Sequence, residues 1–187
     1  MAKPSSGEVV AATKHWIEQA VIGLNLCPFA KAVYVKNQVR FVESDALHVD
    51  GFLEELDREL DLLAAADSQQ IDTTLLIHPT LFADFLEFND LTAIAEDAIA
   101  EHSLQGVLQI ASFHPRFQFD GTEPEDIGNY TNRAPYPTLH LLREASISRA
   151  VEAFPQPQAI FENNIETLQR IGLAGWLALG LQDAAGR

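Results

Sequence analysis

The sequence predicts a single α/β domain, or an α+β variant of it. Helices would cover a small sheet of three to five strands, mostly parallel or mixed. Three observations predict this. Short β-rich runs stand at 39–43 (VRFVE), 73–79 (TTLLIHP) and 107–115 (VLQIASFHP). They alternate with longer segments whose apolar residues recur at helical spacing, a pattern that favours parallel pairing and right-handed crossovers. The 187 residues suit one domain, 1–187, with a real hydrophobic core.

Each element has its own warrant. Residues 1–6 read as frayed. From about Ser6 to Leu24 the pattern is helical, with Ser6 as cap and Val9, Val10, Thr13, Trp16, Ile17, Ala20 and Val21 on one stripe. Gly23 and Asn25 weaken that helix and Pro28 stops it, so LNLCPFAK (24–31) is a helix end and turn. The run AVYVKNQVRFVE (32–43) alternates, with Asn37 as a turn and VRFVE as the better strand. Residues 46–66 form an amphipathic helix: Val49, Phe52, Leu53, Leu56, Leu60 and Leu63 face one way, Glu54, Glu55, Arg58 and Asp61 the other. TTLLIHP is a buried strand ended by Pro79. A helix follows from about Thr80 to Glu101, with a break and a new cap placed near Asn89–Asp90. Gly106 opens the next strand. After a long connection, Pro137 to Phe154 reads as helix, FPQPQ (154–158) as a breaker and Ile160 to Leu181 as a helix weakened by glycines. A mixed sheet results if Gln118–Phe119 or Val33–Val35 adds an antiparallel strand, and a split βαβ arrangement is the main alternative.

Composition narrows the function. Apolar residues make up 47% and charged ones 21%, ordinary for a globular protein, but the net charge is −15. Such a field repels phosphate backbones and anionic lipid, so nucleic acid and membrane surface are not expected partners. A homo-oligomer stays open. A single cysteine, no apolar signal core and no long apolar run give a cytoplasmic reading.

Two strands end alike, in Ile77-His78-Pro79 and Phe113-His114-Pro115. Run parallel, they place both imidazoles on the sheet edge where open α/β folds hold ligands. Run as neighbours, they would let His78 and His114 share a divalent metal, with Glu43 as a carboxylate partner, or act as acid–base groups. The plainer reading is that each His-Pro pair merely ends a strand. His140, early in the expected helix, either joins a His cluster or anchors that helix. His15, His48 and His102 read as surface.

The loop GNYTNRAPYP (128–137) supplies Asn129, Asn132 and Arg133 beside the expected N-terminus of a helix at Pro137, a favourable place for an anion. Alternatively these side chains cap the loop's own backbone. Cys27 follows a helix end, where the dipole does not activate it; it reads as buried and inert, or as the nucleophile of a Cys–His pair.

The segments LNLCPFAK, FHP and NYTNRAPYPTLHLLRE resemble a bacterial family catalogued as "domain of unknown function 1415", over essentially the whole chain. The chain departs from that family's pattern at Phe117, where Tyr is favoured, and at Ala134, where Ser is. The resemblance implies a small soluble bacterial protein and supplies no reaction. The residues themselves point to a small anionic metabolite, bound or acted on at a His/Arg/Asn site, with a divalent metal as the one cofactor the His pair would suit. A binding module without catalysis and a protein-interaction domain are the alternatives.

Overall fold

The computed structural model describes residues 7–153 and 157–181. The frayed start, the Ser6 cap and the first part of the FPQPQ breaker lie outside the described residues. In chain order the elements are α1 (Glu8–Trp16), a π-helical segment (Ile17–Ile22), α2 (Ala30–Val35), β1 (Val39–Glu43), α3 (Val49–Ala65), β2 (Thr73–Ile77), α4 (Phe85–Glu101), β3 (Leu108–Phe113), a 3-10 turn (Ile127–Asn132), β4 (Thr138–Arg143), α5 (Glu144–Ala153) and α6 (Pro157–Leu177). The strands lie in the order β1-β2-β4-β3. β1 and β2 are parallel, and β4 runs antiparallel to both β2 and β3. The sheet is therefore mixed, within a single α/β domain.

Topology follows from two crossovers that step the same way across the sheet, β1-α3-β2 and β2-α4-β3. One hand of crossover then lays α3 and α4 on one face. The second crossover passes over β4, which makes it a split βαβ unit. Phe52, Leu56, Leu60 and Leu63 of α3 meet Phe88, Leu91 and Ala95 of α4 over Leu76, Leu139, Leu141 and Leu108 of the sheet. The opposite face, with Leu75 and Ile77, packs Val9, Trp16, Ile17, Ala20, Leu168 and Trp176. Helices cover both sides, and among the described residues no helix is long and apolar enough to cross a membrane.

Several expectations are corrected. Residues 138–143 are strand β4 and only 144–153 are helix, so no helix begins at Pro137. Leu139 and Leu141 face α3 and α4 while His140 and Leu142 face the other layer; a strand buried on both faces shows a near-continuous apolar run that periodicity cannot tell from helix. The antiparallel strand is thus β4 rather than Gln118–Phe119 or Val33–Val35; the latter belongs to α2. Asn37 does turn the chain, at φ 57°. α4 starts at Phe85, where Asp84 Oδ1 accepts from the Leu86 and Glu87 amides at 2.8 and 3.3 Å. It does not break at Asn89–Asp90, because Phe88, Leu91 and Ala95 carry one buried stripe through that point. The first helix passes into π geometry, with the Gly23 amide donating to Glu18 O at 3.0 Å, five residues back. α6 contains Gly172 at φ 60° and ψ −175°, so the glycine interrupts it internally.

Candidate functional site

The two His-Pro pairs do share one edge. β2 and β3 point the same way, and Ile77 and Phe113 both pair with Thr138. They are not neighbours, because β4 lies between them. Each imidazole is spent on its own turn. His114 Nδ1 accepts from the Arg116 amide at 3.0 Å, and its Nε2 donates to Phe82 O at 2.8 Å. His78 Nδ1 accepts from the Thr80 and Leu81 amides at 3.1 and 2.8 Å, and its Nε2 donates to Ala46 O at 3.0 Å. A ring nitrogen that accepts backbone N–H groups has no lone pair left for a metal or a proton. Both rings are buried among Phe52, Phe82, Phe85 and Phe88. Burial, first, and then Arg116 and Arg133 nearby hold His114 below the usual imidazole range, against the raising effect of its bond to Phe82 and of Asp84. Among the described residues no group of three or more His, Cys, Asp or Glu side chains converges as a metal set would.

The long connection organises itself in the same way. Asn129 is fully buried: its Oδ1 accepts from the Phe119 amide at 3.0 Å and from Thr122 Oγ1 at 2.9 Å, and its Nδ2 donates to Glu123 O at 2.8 Å. Asn132 Nδ2 donates to Ser112 O at 3.2 Å. Arg133 lies 4.1 Å over the Tyr130 ring and donates to Phe117 O at 3.3 Å and Pro124 O at 2.5 Å. It borders a small cavity of about 90 Å³ with Trp16, Tyr130 and Trp176. An anion there would have to compete with backbone carbonyls for the guanidinium.

A larger cavity, of about 370 Å³, lies on the opposite sheet face from His78 and His114. Its floor is Thr73 and Leu75 of β2, Ala111 and Phe113 of β3, and His140 and Leu142 of β4. The π-helical segment gives Ile17 and Val21, the turn after it Cys27 and Phe29, and α2 gives Val33 and Tyr34. Ile147 and Val151 of α5 close the far side. This is where two of the sequence candidates meet: Cys27, a free thiol, and His140 line the same space.

His140 is the polar feature of that floor. Its Nε2 is 2.7 Å from Thr73 Oγ1, and Thr73 Oγ1 donates to Leu141 O at 2.6 Å. A hydroxyl has one proton, so at the first contact His140 Nε2 must be the donor. Nδ1 then carries the lone pair, and it has no hydrogen-bond partner among the described residues. Burial lowers the ring's pKa to about 4, so the imidazole is neutral at pH 7. Gln109 of β3 is a second polar side chain on the lining, and two other polar walls are occupied. Asp72 Oδ1 accepts from Ser146 Oγ at 2.6 Å and lies 3.8 Å from Arg149 Nη2, and the Tyr34 hydroxyl donates to Glu18 Oε1 at 2.5 Å.

Thr73, Tyr34, Asp72 and Ser146 carried no signal in the sequence, because the cavity is assembled from segments far apart in the chain. The three segments that carry the family resemblance do each supply wall: Cys27 and Phe29 from LNLCPFAK, Phe113 from FHP, and His140 and Leu142 from NYTNRAPYPTLHLLRE.

Fold and cavity together define a three-layer α/β protein with a cavity between one sheet face and its helical cover. The chain belongs to a family described as a protein of unknown function (DUF1415), whose model matches residues 8–178. No curated protein and no solved structure matches the chain.

Proposed function

We propose that this protein binds a small, chiefly apolar molecule in the cavity floored by His140. The observation that carries this is a space of about 370 Å³, within the roughly 300–1,000 Å³ usual for small-molecule sites, that is lined chiefly by hydrophobic side chains with a few polar groups, among them His140 with an unused lone pair. The π-helical segment on its wall supports the reading, since such segments are frequent at functional sites. We read the protein further as a cytoplasmic one of bacteria, on its single free cysteine and its family resemblance.

Thermal melts against a panel of small apolar compounds test the proposal. A ligand at 100 times its dissociation constant adds about 2.7 kcal/mol, a shift of several degrees. Ala111→Phe fills the floor and should abolish the shift while the protein stays folded. A panel without any shift in the wild type sinks the reading.

Catalysis is the second reading, favoured by Cys27 and His140 lining one space, a nucleophile and a base. Fast alkylation of Cys27 at pH 6 that slows in His140→Leu would support it; slow alkylation in the wild type would count against it. An anionic metabolite on Arg133 and Asn132, or a metal on His78 and His114, would require these side chains to leave the backbone groups they now hold.

A further inference from the structure

The cavity's chemistry narrows its occupant further, in an argument that rests on the proposed binding role. We infer that the ligand is uncharged and carries a hydroxyl or N–H donor on an apolar body, and that this donor bonds to Nδ1 of His140.

Three features of the walls lead there. First, Nε2 of His140 is committed as a donor to Thr73 Oγ1, because the threonine proton goes to Leu141 O. The ring therefore offers the cavity an acceptor and no donor. Second, among the described residues no lysine or arginine lines the space, and Arg149, beside its rim, is engaged by Ser146 Oγ at 2.8 Å and Asp72 Oδ1 at 3.8 Å, so a carboxylate or phosphate brought in would lose hydration and have to compete with Asp72 for that cation. Third, Asp72, the sole carboxylate among the described lining residues, is held by Ser146 and lies near Arg149. An ammonium ligand would have to displace both. What remains is a neutral molecule with its apolar surface against Trp16, Ile17, Val21, Phe29, Leu75 and Phe113.

Matched octyl probes test this: octan-1-ol, methyl octyl ether, octanoate and octylammonium, titrated calorimetrically into the full chain, with Ala111→Phe as the cavity-filled control. The alcohol should bind about tenfold tighter than the ether, the worth of one net hydrogen bond, and at least tenfold tighter than either ion. In His140→Leu the alcohol should lose its advantage over the ether. The wild-type imidazole ¹⁵N spectrum gives a second readout that needs no variant: Nδ1 should shift with octan-1-ol and stay put with the ether. If octanoate or octylammonium binds as tightly as the alcohol and Ala111→Phe blocks it, the neutral-donor inference is overturned while the cavity remains the binding site. If none of the four binds the wild type, the cavity reading itself falls, and this inference with it.

Discussion

His114 Nε2 donates to the carbonyl of Phe82 at 2.8 Å, and Phe82 stands at φ 60°. A bulky side chain in the left-handed region is uncommon and costs on the order of 1–3 kcal/mol, so its surroundings must over-determine it. The His114 bond is one restraint, and the rings of Phe52 and His78 at 5.1 and 5.7 Å are others. His114→Ala should therefore destabilise the fold by about 1–3 kcal/mol by leaving buried backbone groups unpaired, with cavity binding kept. His114→Asn, which can still accept from the Arg116 amide, should recover part of that loss. Urea melts of the three proteins decide it; an unchanged midpoint in His114→Ala would refute the structural role. Divalent metal should leave the midpoint of the wild type and of His78→Ala alike; a rise confined to the wild type would restore the metal reading.

The acid limb of stability should belong largely to two buried rings. His140 and His114 are both held below the ordinary value of 6.5 by burial, His140 at about 4. The unfolded chain binds those protons more readily, so stability is complete above pH 6.5 and is lost as pH falls towards 4. In His140→Gln the melting temperature should vary less between those limits. An acid limb of unchanged slope would show that the ring is not the group that titrates.

His102 should act in the opposite sense. It faces Asp61 at 2.8 Å and Asp57 at 3.1 Å, linking α4 to α3, and its pKa is raised, chiefly by the hydrogen bond to Asp61. Its contribution is therefore complete below pH 6.5 and is lost as pH rises through the higher folded value. Both carboxylates are largely exposed, so the worth is about 0.2–1 kcal/mol and falls with salt. His102→Gln should cost more at pH 6 than at pH 8.5 in low salt. Equal costs at the two values would remove the charge pair from the account.

The sequence was legible where a segment faces one partner and illegible where it faces two. α3 shows a single apolar stripe, and the expected helix over 46–66 matches it nearly to its ends. β4 is covered on both faces and its Leu and Arg residues favour helix, so local preference points the wrong way and tertiary pairing with β2 and β3 overrides it. The same error removed the helix N-terminus on which an anion site at Arg133 depended. The paired His-Pro ends correctly marked a shared sheet edge, but residue type cannot show that Nδ1 is filled by a backbone amide two residues on. His140 and Cys27 stand far apart in the sequence; their meeting depends on the packing of α2 and the π-helical segment over the sheet, which no local pattern records.

Arg143 holds the end of α3. Its Nη2 donates to Leu63 O and Ala66 O at 2.6 and 2.7 Å, placing a cation on carbonyls that the helix leaves unpaired, and its Nε donates to Ile71 O at 3.3 Å. Arg143→Met keeps the stem and removes the fork; it should cost about 1.5–3 kcal/mol in a urea melt. Arg143→Lys should recover little, since one ammonium cannot span three acceptors from that position. Full recovery by lysine would mean that charge alone matters there.

Tyr34 governs how the cavity is covered. α2 has no buried residue, yet Val33 and Tyr34 line the space, and the tyrosine hydroxyl donates to Glu18 on the π-helical segment. Burial first, then Glu18, pushes the phenol up to about 12, so the hydroxyl keeps its proton across the working range. One hydrogen bond thus ties a weakly packed helix across the face of the site. Tyr34→Phe keeps the ring and removes the tie, and a bound apolar probe should then dissociate up to about tenfold faster, the kinetic worth of roughly 1.4 kcal/mol. Stopped-flow displacement of octan-1-ol, followed through the fluorescence of Trp16 on the cavity wall, measures that rate. Glu18→Gln, which still offers a carbonyl acceptor, should lie between the two; dissociation rates equal in all three proteins would show that α2 does not restrain the ligand.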